Sequence, residues 1–284
     1  MEKPIFGGHV SAAGGLVNAV ANAQKIGART IQIFGASPRQ FAVKMPSADS
    51  IAAYKAAIAK SGIGSVYLHA AYLVRLGSEK ESLRAISIKN LAGHLKIAEM
   101  IGARGLVFHL GSQGEGSKEN AIKKTVAGMH AVLKSVPGKA LLIMENSSGG
   151  GTKLGATVDD LAALFKKAKT SRVKLCFDTA HAFEAGVLRY EKPADIKKFF
   201  DEWDRKIGLP NLEVVHANDS KTAFATGADR HENIGRGFIG LQGFKNLALE
   251  KRLWSKPWIL EVPGFADEGP DKKNIEALRT CFSG

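Results

Sequence analysis

Six short apolar runs in this chain each end in a side chain able to ligate a metal. Val66-Tyr67-Leu68 leads into His69, Leu106-Val107-Phe108 into His109, Leu141 to Met144 into Glu145, Lys174 to Phe177 into Asp178, Val214-Val215 into His216, and Ile259-Leu260 into Glu261. Two further pairs add to them: Asp178 and His181 form Asp-x-x-His, and Asp229-Arg230-His231 places a carboxylate two positions from an imidazole. The candidate ligands are therefore nine: His69, His109, Glu145, Asp178, His181, His216, Asp229, His231 and Glu261. Imidazoles mixed with carboxylates and no thiolate suit zinc, with manganese or ferrous iron as alternatives. Nine exceed the needs of one ion; at about four ligands per zinc and one bridging carboxylate they could serve two or three. Ions about 3.5 to 4 Å apart are the known arrangement for in-line phosphoryl displacement. A lone strand-end histidine is more often structural and a lone carboxylate more often a helix cap, but six repeats of one placement favour a shared metal centre. His94 and His130 fall inside helical patterns and are read as structural.

The elements that must position these residues alternate along the chain. Ile5 to Val10 reads as a strand, a helix with Leu16, Val20 and Ala23 on one face follows Gly14-Gly15, and Thr30 to Phe34 is again strand-like. Ser47 is the expected N-cap of a helix with Ile51, Tyr54 and Ile58 in a stripe, and Ser78 with Glu81 reads as a capping box before Leu91, Leu95 and Ala98. Further helical faces carry Ile122, Val126, Met129 and Leu133, ending at Pro137-Gly138; Leu161, Leu164 and Phe165, opened by Thr157 and Asp160; and Ile196, Phe200, Trp203 and Ile207 after Pro193. Leu209-Pro210-Asn211 turns into the His216 strand, and a long polar stretch runs from Ala217 to Gly240. Helices near Leu241 to Leu249 and Asn274 to Arg279 complete eight strand-helix units. They predict one (β/α)8 TIM barrel domain over residues 1–284, with its active site at the C-terminal ends of the strands.

At 284 residues and 45% apolar content the chain can bury the core of such a barrel. Forty Lys and Arg against 27 Asp and Glu leave a net charge of +13, which points to a polyanionic partner, nucleic acid before membrane. Two cysteines, Cys176 and Cys281, make no disulfide framework and indicate a reducing cytoplasm; Cys176 is given no ligand role. Met1 to Gly15 lacks the pattern of a secretory leader, and no apolar run approaches the ~20 residues that span a bilayer. A monomer without membrane attachment is expected.

The chain resembles the endonuclease IV family of zinc-dependent apurinic/apyrimidinic endonucleases of base-excision repair, which share the xylose-isomerase-like barrel. The resemblance runs from Gly8-His9-Val10-Ser11-Ala12-Ala13-Gly14-Gly15 to the Glu261 region. Its most specific piece is Val215-His216-Ala217-Asn218-Asp219-Ser220-Lys221 followed by Asp229-Arg230-His231 and Ile234-Gly235. His69 with Tyr72-Leu73, Glu145-Asn146 and Asp178-Thr179-Ala180-His181-Ala182-Phe183 match as well. The resemblance implies three zinc ions: one on His69, His109 and Glu145; a second on Glu145, Asp178, His216 and Glu261; a third on His181, Asp229 and His231. It implies hydrolysis of the phosphodiester 5′ to an abasic site in duplex DNA, giving a 3′-hydroxyl and a 5′-deoxyribose phosphate, and removal of 3′-end blocks. A metal-bridging hydroxide would be the nucleophile, Glu145 the catalytic bridge, and the third ion would stabilise the leaving 3′-oxygen. Arg39 and Gln40, with Tyr72 and Leu73, match the family's inserting loops, where an apolar wedge can replace lost stacking. Lys153, Lys221 and Arg230 would meet the DNA backbone, and His9 is read as supporting the ligands.

Gly149-Gly150-Gly151-Thr152-Lys153 fails the Walker A order and reads as either a flexible turn or a phosphate contact. Departures from the family pattern are Ser37 for Asn, Phe41 for Trp, Arg75 for Asn, Leu110 for Pro and Ala225 for Gly; none is a candidate ligand. Two other functions share parts of the pattern. A sugar isomerase or epimerase on the same scaffold needs one or two ions and leaves His181, Asp229 and His231 without a common task; a DNA-binding module without catalysis needs no metal set.

Overall fold

The computed structural model describes residues 3–283, so Met1, at the start of the segment read for a leader, lies outside them. Strands β1 (Ile5–His9), β2 (Thr30–Phe34), β3 (Ser65–His69), β4 (Gly105–His109), β5 (Leu141–Glu145), β6 (Val173–Asp178), β7 (Leu212–His216) and β10 (Pro257–Leu260) close into a barrel. All its pairings are parallel, with β10 bridging β7 and β1. Around it run α1 (Leu16–Ile26), α2 (Ala48–Ser61), α3 (Glu81–Ile101), α4 (Lys118–Ser135), α5 (Val158–Ala168), α7 (Pro193–Lys206), α8 (Gly240–Ala248) and α9 (Lys272–Cys281).

Alternation along each strand sorts side chains between two cores. Tyr67, Val107, Ile143, Cys176, Val214 and Ile259 form one cluster, the plug of the barrel. Their neighbours Leu68, Phe108, Met144, Phe177, Val215 and Leu260 belong to the other, between sheet and helices. Each plug residue lies two positions before one of the six strand-end candidates. The face that fills the barrel therefore also delivers the candidate ligands to its mouth.

The helices bury the stripes expected of them: Leu91, Leu95 and Ala98 in α3, and Phe200 and Trp203 in α7, are inaccessible to solvent. Ser47 caps α2 by accepting from the Ser50 amide, Thr157 caps α5 through the Asp160 amide, and Pro193 opens α7. The capping box expected of Ser78 and Glu81 does not form. Helix α3 begins at Glu81 with Lys80 as its N-cap, and the Ser78 hydroxyl is taken by the Lys80 amide in a turn upstream of the helix.

The long polar stretch contains structure that its composition concealed. Within it β8 (Asp219–Ser220) pairs antiparallel with β9 (His231–Glu232); outside it a further short helix, α6 (Thr179–Glu184), follows β6 directly. Asp219 fastens the ribbon to the turn that leads into α8, its carboxylate accepting from the amides of Ser220, Gly235, Gly237, Ile239 and Gly240. This ribbon is what carries Asp229 and His231 back over the barrel mouth.

Candidate metal centre

Strand register sets the candidates side by side, His109 opposite Glu145, Glu145 opposite Cys176, and Asp178 opposite His216. Glu145, wholly buried, lies at the centre. Its Oε2 is 3.2 Å from His69 Nε2 and 3.1 Å from His109 Nε2; its Oε1 is 3.0 Å from His216 Nδ1 and 3.4 Å from His181 Nδ1. His216 Nδ1 lies 3.2 Å from Glu261 Oε2 and 3.9 Å from Asp178 Oδ2, which is 3.6 Å from His231 Nε2. His181 Nε2 is 3.1 Å from Asp229 Oδ1. The nine residues chosen from the sequence are thus joined in one continuous network.

Three compact sets stand out, each with ligand atoms within 4.8 Å of one another: His69, His109 and Glu145; Glu145, Asp178, His216 and Glu261; and Asp178, His181 and His231. The first two correspond to the sets implied by the resemblance. In the third, Asp178 completes the group, while Asp229 joins through His181 and shares its other oxygen with Lys153 Nζ at 3.4 Å. Cys176, given no ligand role, also comes within reach of Glu145 and His216. Burial pushes its thiol up to about 12, which favours the neutral form.

The donor set fits divalent cations. It consists of oxygen and imidazole nitrogen, its members are buried or half-buried, and His231 Nε2 is enclosed without a hydrogen-bond partner among the described residues. A buried polar atom left so costs about 1–3 kcal/mol, which a bound cation would offset. Protonation of the cluster follows the same electrostatics. Burial alone would raise the Glu145 pKa, but His216 and His109 more than offset it and hold the carboxyl well below its usual range. Burial alone would lower His181, yet Asp178, the Asp229 hydrogen bond and Glu145 carry it well above the ordinary imidazole value.

Several residues that aim the ligands escaped the sequence reading. Gln32 accepts from His216 Nε2 at 3.0 Å and donates to Glu261 Oε1 at 2.6 Å, which turns His216 Nδ1 toward the centre. Asn218 donates to Asp178 Oδ2 and accepts from the Glu261 amide; the Asn146 carbonyl holds His181 Nδ1. Gln32 could have been noticed as a lone amide inside the apolar run Thr30 to Phe34, whereas Asn146 and Asn218 stood inside the matched motifs with no role assigned. His9, expected to support the ligands, lies 3.0 Å from Glu261 Oε1. His130 bonds the Ala168 carbonyl, and His94 is buried in the core, where desolvation lowers it to about 4.

The residues proposed for DNA contact occupy the rim. Arg39 and Gln40 are exposed after β2, and Leu73 is exposed after β3. Tyr72, 52% exposed, sets its ring 6.1 Å from those of His69 and His109. Lys221 and Arg230 are exposed where the ribbon strands meet the loop between them. Lys153 differs: its ammonium is occupied by Ser148 Oγ and Asp229. The glycine run before it makes a backbone contact, for a Cβ at Gly150 would lie 2.7 Å from the Gly227 carbonyl oxygen. Beside these residues His109, Glu145, His181, Asp229, Arg75 and Lys153 line a cavity of about 310 Å³.

Residues 20–281 match the family described as xylose isomerase-like TIM barrel. A protein of Halothermothrix orenii named probable endonuclease 4 is 34% identical over 276 residues, covering 96% of this chain and 99% of that protein. One of the same name from Halorhodospira halophila is 35% identical, covering 99% and 95%. Endonuclease IV from Thermus thermophilus has a crystal structure that matches with a TM-score of 0.85 at 34% identity over 98% of each chain. A D-tagatose 3-epimerase-like protein matches at 0.70 and 16% identity, a likeness of fold alone. Fold is common to the epimerases and the nucleases, whereas identity of this extent along the whole length attaches to the nucleases: the chain belongs to the endonuclease IV family of metal-dependent nucleases.

Proposed function

We propose that this protein is a DNA repair endonuclease that hydrolyses the phosphodiester 5′ to an abasic site in duplex DNA and also clears blocked 3′ ends. The observation that carries the reading is the single network of nine imidazole and carboxylate residues around Glu145. His69, His109 and Glu145 would hold one zinc; Glu145, Asp178, His216 and Glu261 a second; His181 and His231 with Asp229 a third, on whose side Asp178 also lies. Divalent cations held there would make a hydroxide nucleophile available near neutral pH, which we take to be metal-bridging, and would stabilise negative charge on the departing 3′-oxygen. Glu145 keeps both carboxylate oxygens on the ligands, Gln32 and Asn218 hold His216, Asp178 and Glu261 in register, and the adjoining cavity receives the base-free sugar phosphate.

An abasic nucleotide has little stacking or pairing to lose, so its extrusion is cheaper than that of an intact one. Tyr72 and Leu73 fill the gap in the stack from one loop, Arg39 and Gln40 enter from another, and Lys221 and Arg230 contact phosphate. Lys153 acts on the DNA from beside Asp229. We further propose that it acts as a monomer in the cytoplasm, a reducing compartment that suits its two free cysteines; among the described residues no helix is long and apolar enough to cross a membrane.

The test is incision of a synthetic abasic duplex, with metal analysis of the purified protein. Zinc near three equivalents and a product ending in a 3′-hydroxyl are expected, and Glu145→Gln should lower turnover by at least about 10²-fold while the circular dichroism spectrum is kept. Turnover of a ketose in place of DNA, or an unaffected Glu145→Gln variant, would overturn the reading.

A further inference from the structure

Glu184 ends α6 in a position with no solvent access and has no ion-pair partner among the described residues. A carboxylate so placed needs its oxygens satisfied by hydrogen bonds. Its Oε1 accepts from Ser220 Oγ at 2.7 Å and Thr222 Oγ1 at 3.2 Å, and its Oε2 from the Asp229 amide at 2.5 Å. The Arg230 amide reaches both oxygens at 3.2 Å. The Glu184 carbonyl also accepts from the Gly227 amide at 2.9 Å. One side chain thus gathers both ends of the loop from Ser220 to Arg230.

What that loop presents is Asp229. Its backbone is left-handed, φ 61°, a conformation that costs an L-residue about 1–2 kcal/mol and must be held by its surroundings. In that conformation Asp229 Oδ1 meets His181 Nε2. His181 and Glu184 stand three residues apart on the same short helix, hence on one face. The helix carries one candidate ligand directly and grips the backbone of the other.

We infer that Glu184 is a positioning residue of the third metal subsite, fixing Asp229 against His181 so that the pair is set before an ion arrives. The inference rests on the reading that His181, Asp229 and His231 hold an ion. A glutamine at this position would turn an amide NH2 toward the Arg230 amide in either orientation, since that N–H reaches both oxygens, and toward the Asp229 amide in one of them. The loop should then release Asp229 without disturbing the barrel.

The experiment compares full-length zinc-loaded wild type and Glu184→Gln after dialysis against buffered zinc. Three equivalents are expected on the wild type; on the variant, the weakest ion should dissociate at 10- to 100-fold higher free zinc, as for other partners of metal ligands. The Asp229 and Arg230 amides should exchange hydrogen faster in the variant while barrel amides do not change. Unchanged affinity for all three ions would overturn the inference. Fewer than three ions on the wild type would overturn the third subsite itself, an outcome visible without any variant. Should Glu184→Gln not fold, Glu184→Asp, one methylene shorter but still a carboxylate, should give an intermediate loss of the weakest ion, and wild-type affinity there would again defeat the assignment.

Discussion

Glu145 contacts four imidazoles through two oxygens, so one buried negative charge is shared among them. This determines how the cluster responds to pH. Both His181 ring nitrogens face acceptors, Nδ1 the Asn146 carbonyl and Nε2 Asp229 Oδ1, and despite burial the neighbouring carboxylates raise its pKa, so a cation at Nε2 must compete with a proton. Zinc uptake near neutral pH should therefore release protons, and apparent affinity should rise with pH until that proton is gone. Calorimetry in buffers of different ionisation enthalpy measures the release; a buffer-independent heat would contradict it. The candidate ligands were readable from sequence because each strand-end member is an ionisable residue closing an apolar run. Gln32, Asn218 and Glu184 were not, because their tasks are defined by partners distant in sequence: Gln32 reaches His216 and Asn218 reaches Asp178.

At the level of elements, the period of two in the strands made the barrel visible, since residues such as Val107 and His109 share a face. The loops were harder. The Ser78–Glu81 spacing satisfied a capping box, yet a local turn captured the hydroxyl first, and the two-residue strands β8 and β9 are too short to show a period. Ala225, where the family usually has glycine, adopts φ 66° in the loop between them. Ala225→Gly should relieve strain and stabilise the protein by up to about 1 kcal/mol, read from denaturant unfolding; a loss of stability would show that the methyl packs usefully. The β2 and β3 loops carry Arg39 and Tyr72 on the rim. Replacing both with alanine should weaken binding to an abasic duplex by about tenfold or more, since a base–aromatic stack is worth about 1–3 kcal/mol, with a smaller loss on intact duplex. Equal losses on the two duplexes would remove the wedge role.

Across the whole molecule the excess of 40 basic over 27 acidic residues bears on association with DNA. Binding should weaken linearly in a plot of log affinity against log salt, with a slope of about 0.9 per phosphate neutralised, measured by titration at several salt concentrations. A flat response would remove nucleic acid as the partner that the charge implies. Composition gave that expectation but could not say where the charge sits, which depends on the closure of the barrel. Closure has another effect. One of the three candidate sites draws on a residue that comes late in the chain, Glu261 following β10, and it meets the earlier ligands only when β10 closes the ring between β7 and β1. A growing polypeptide still lacking β10 also lacks Glu261, so the set that Glu145, Asp178 and His216 share with it stays open until that strand has been made and has shut the ring.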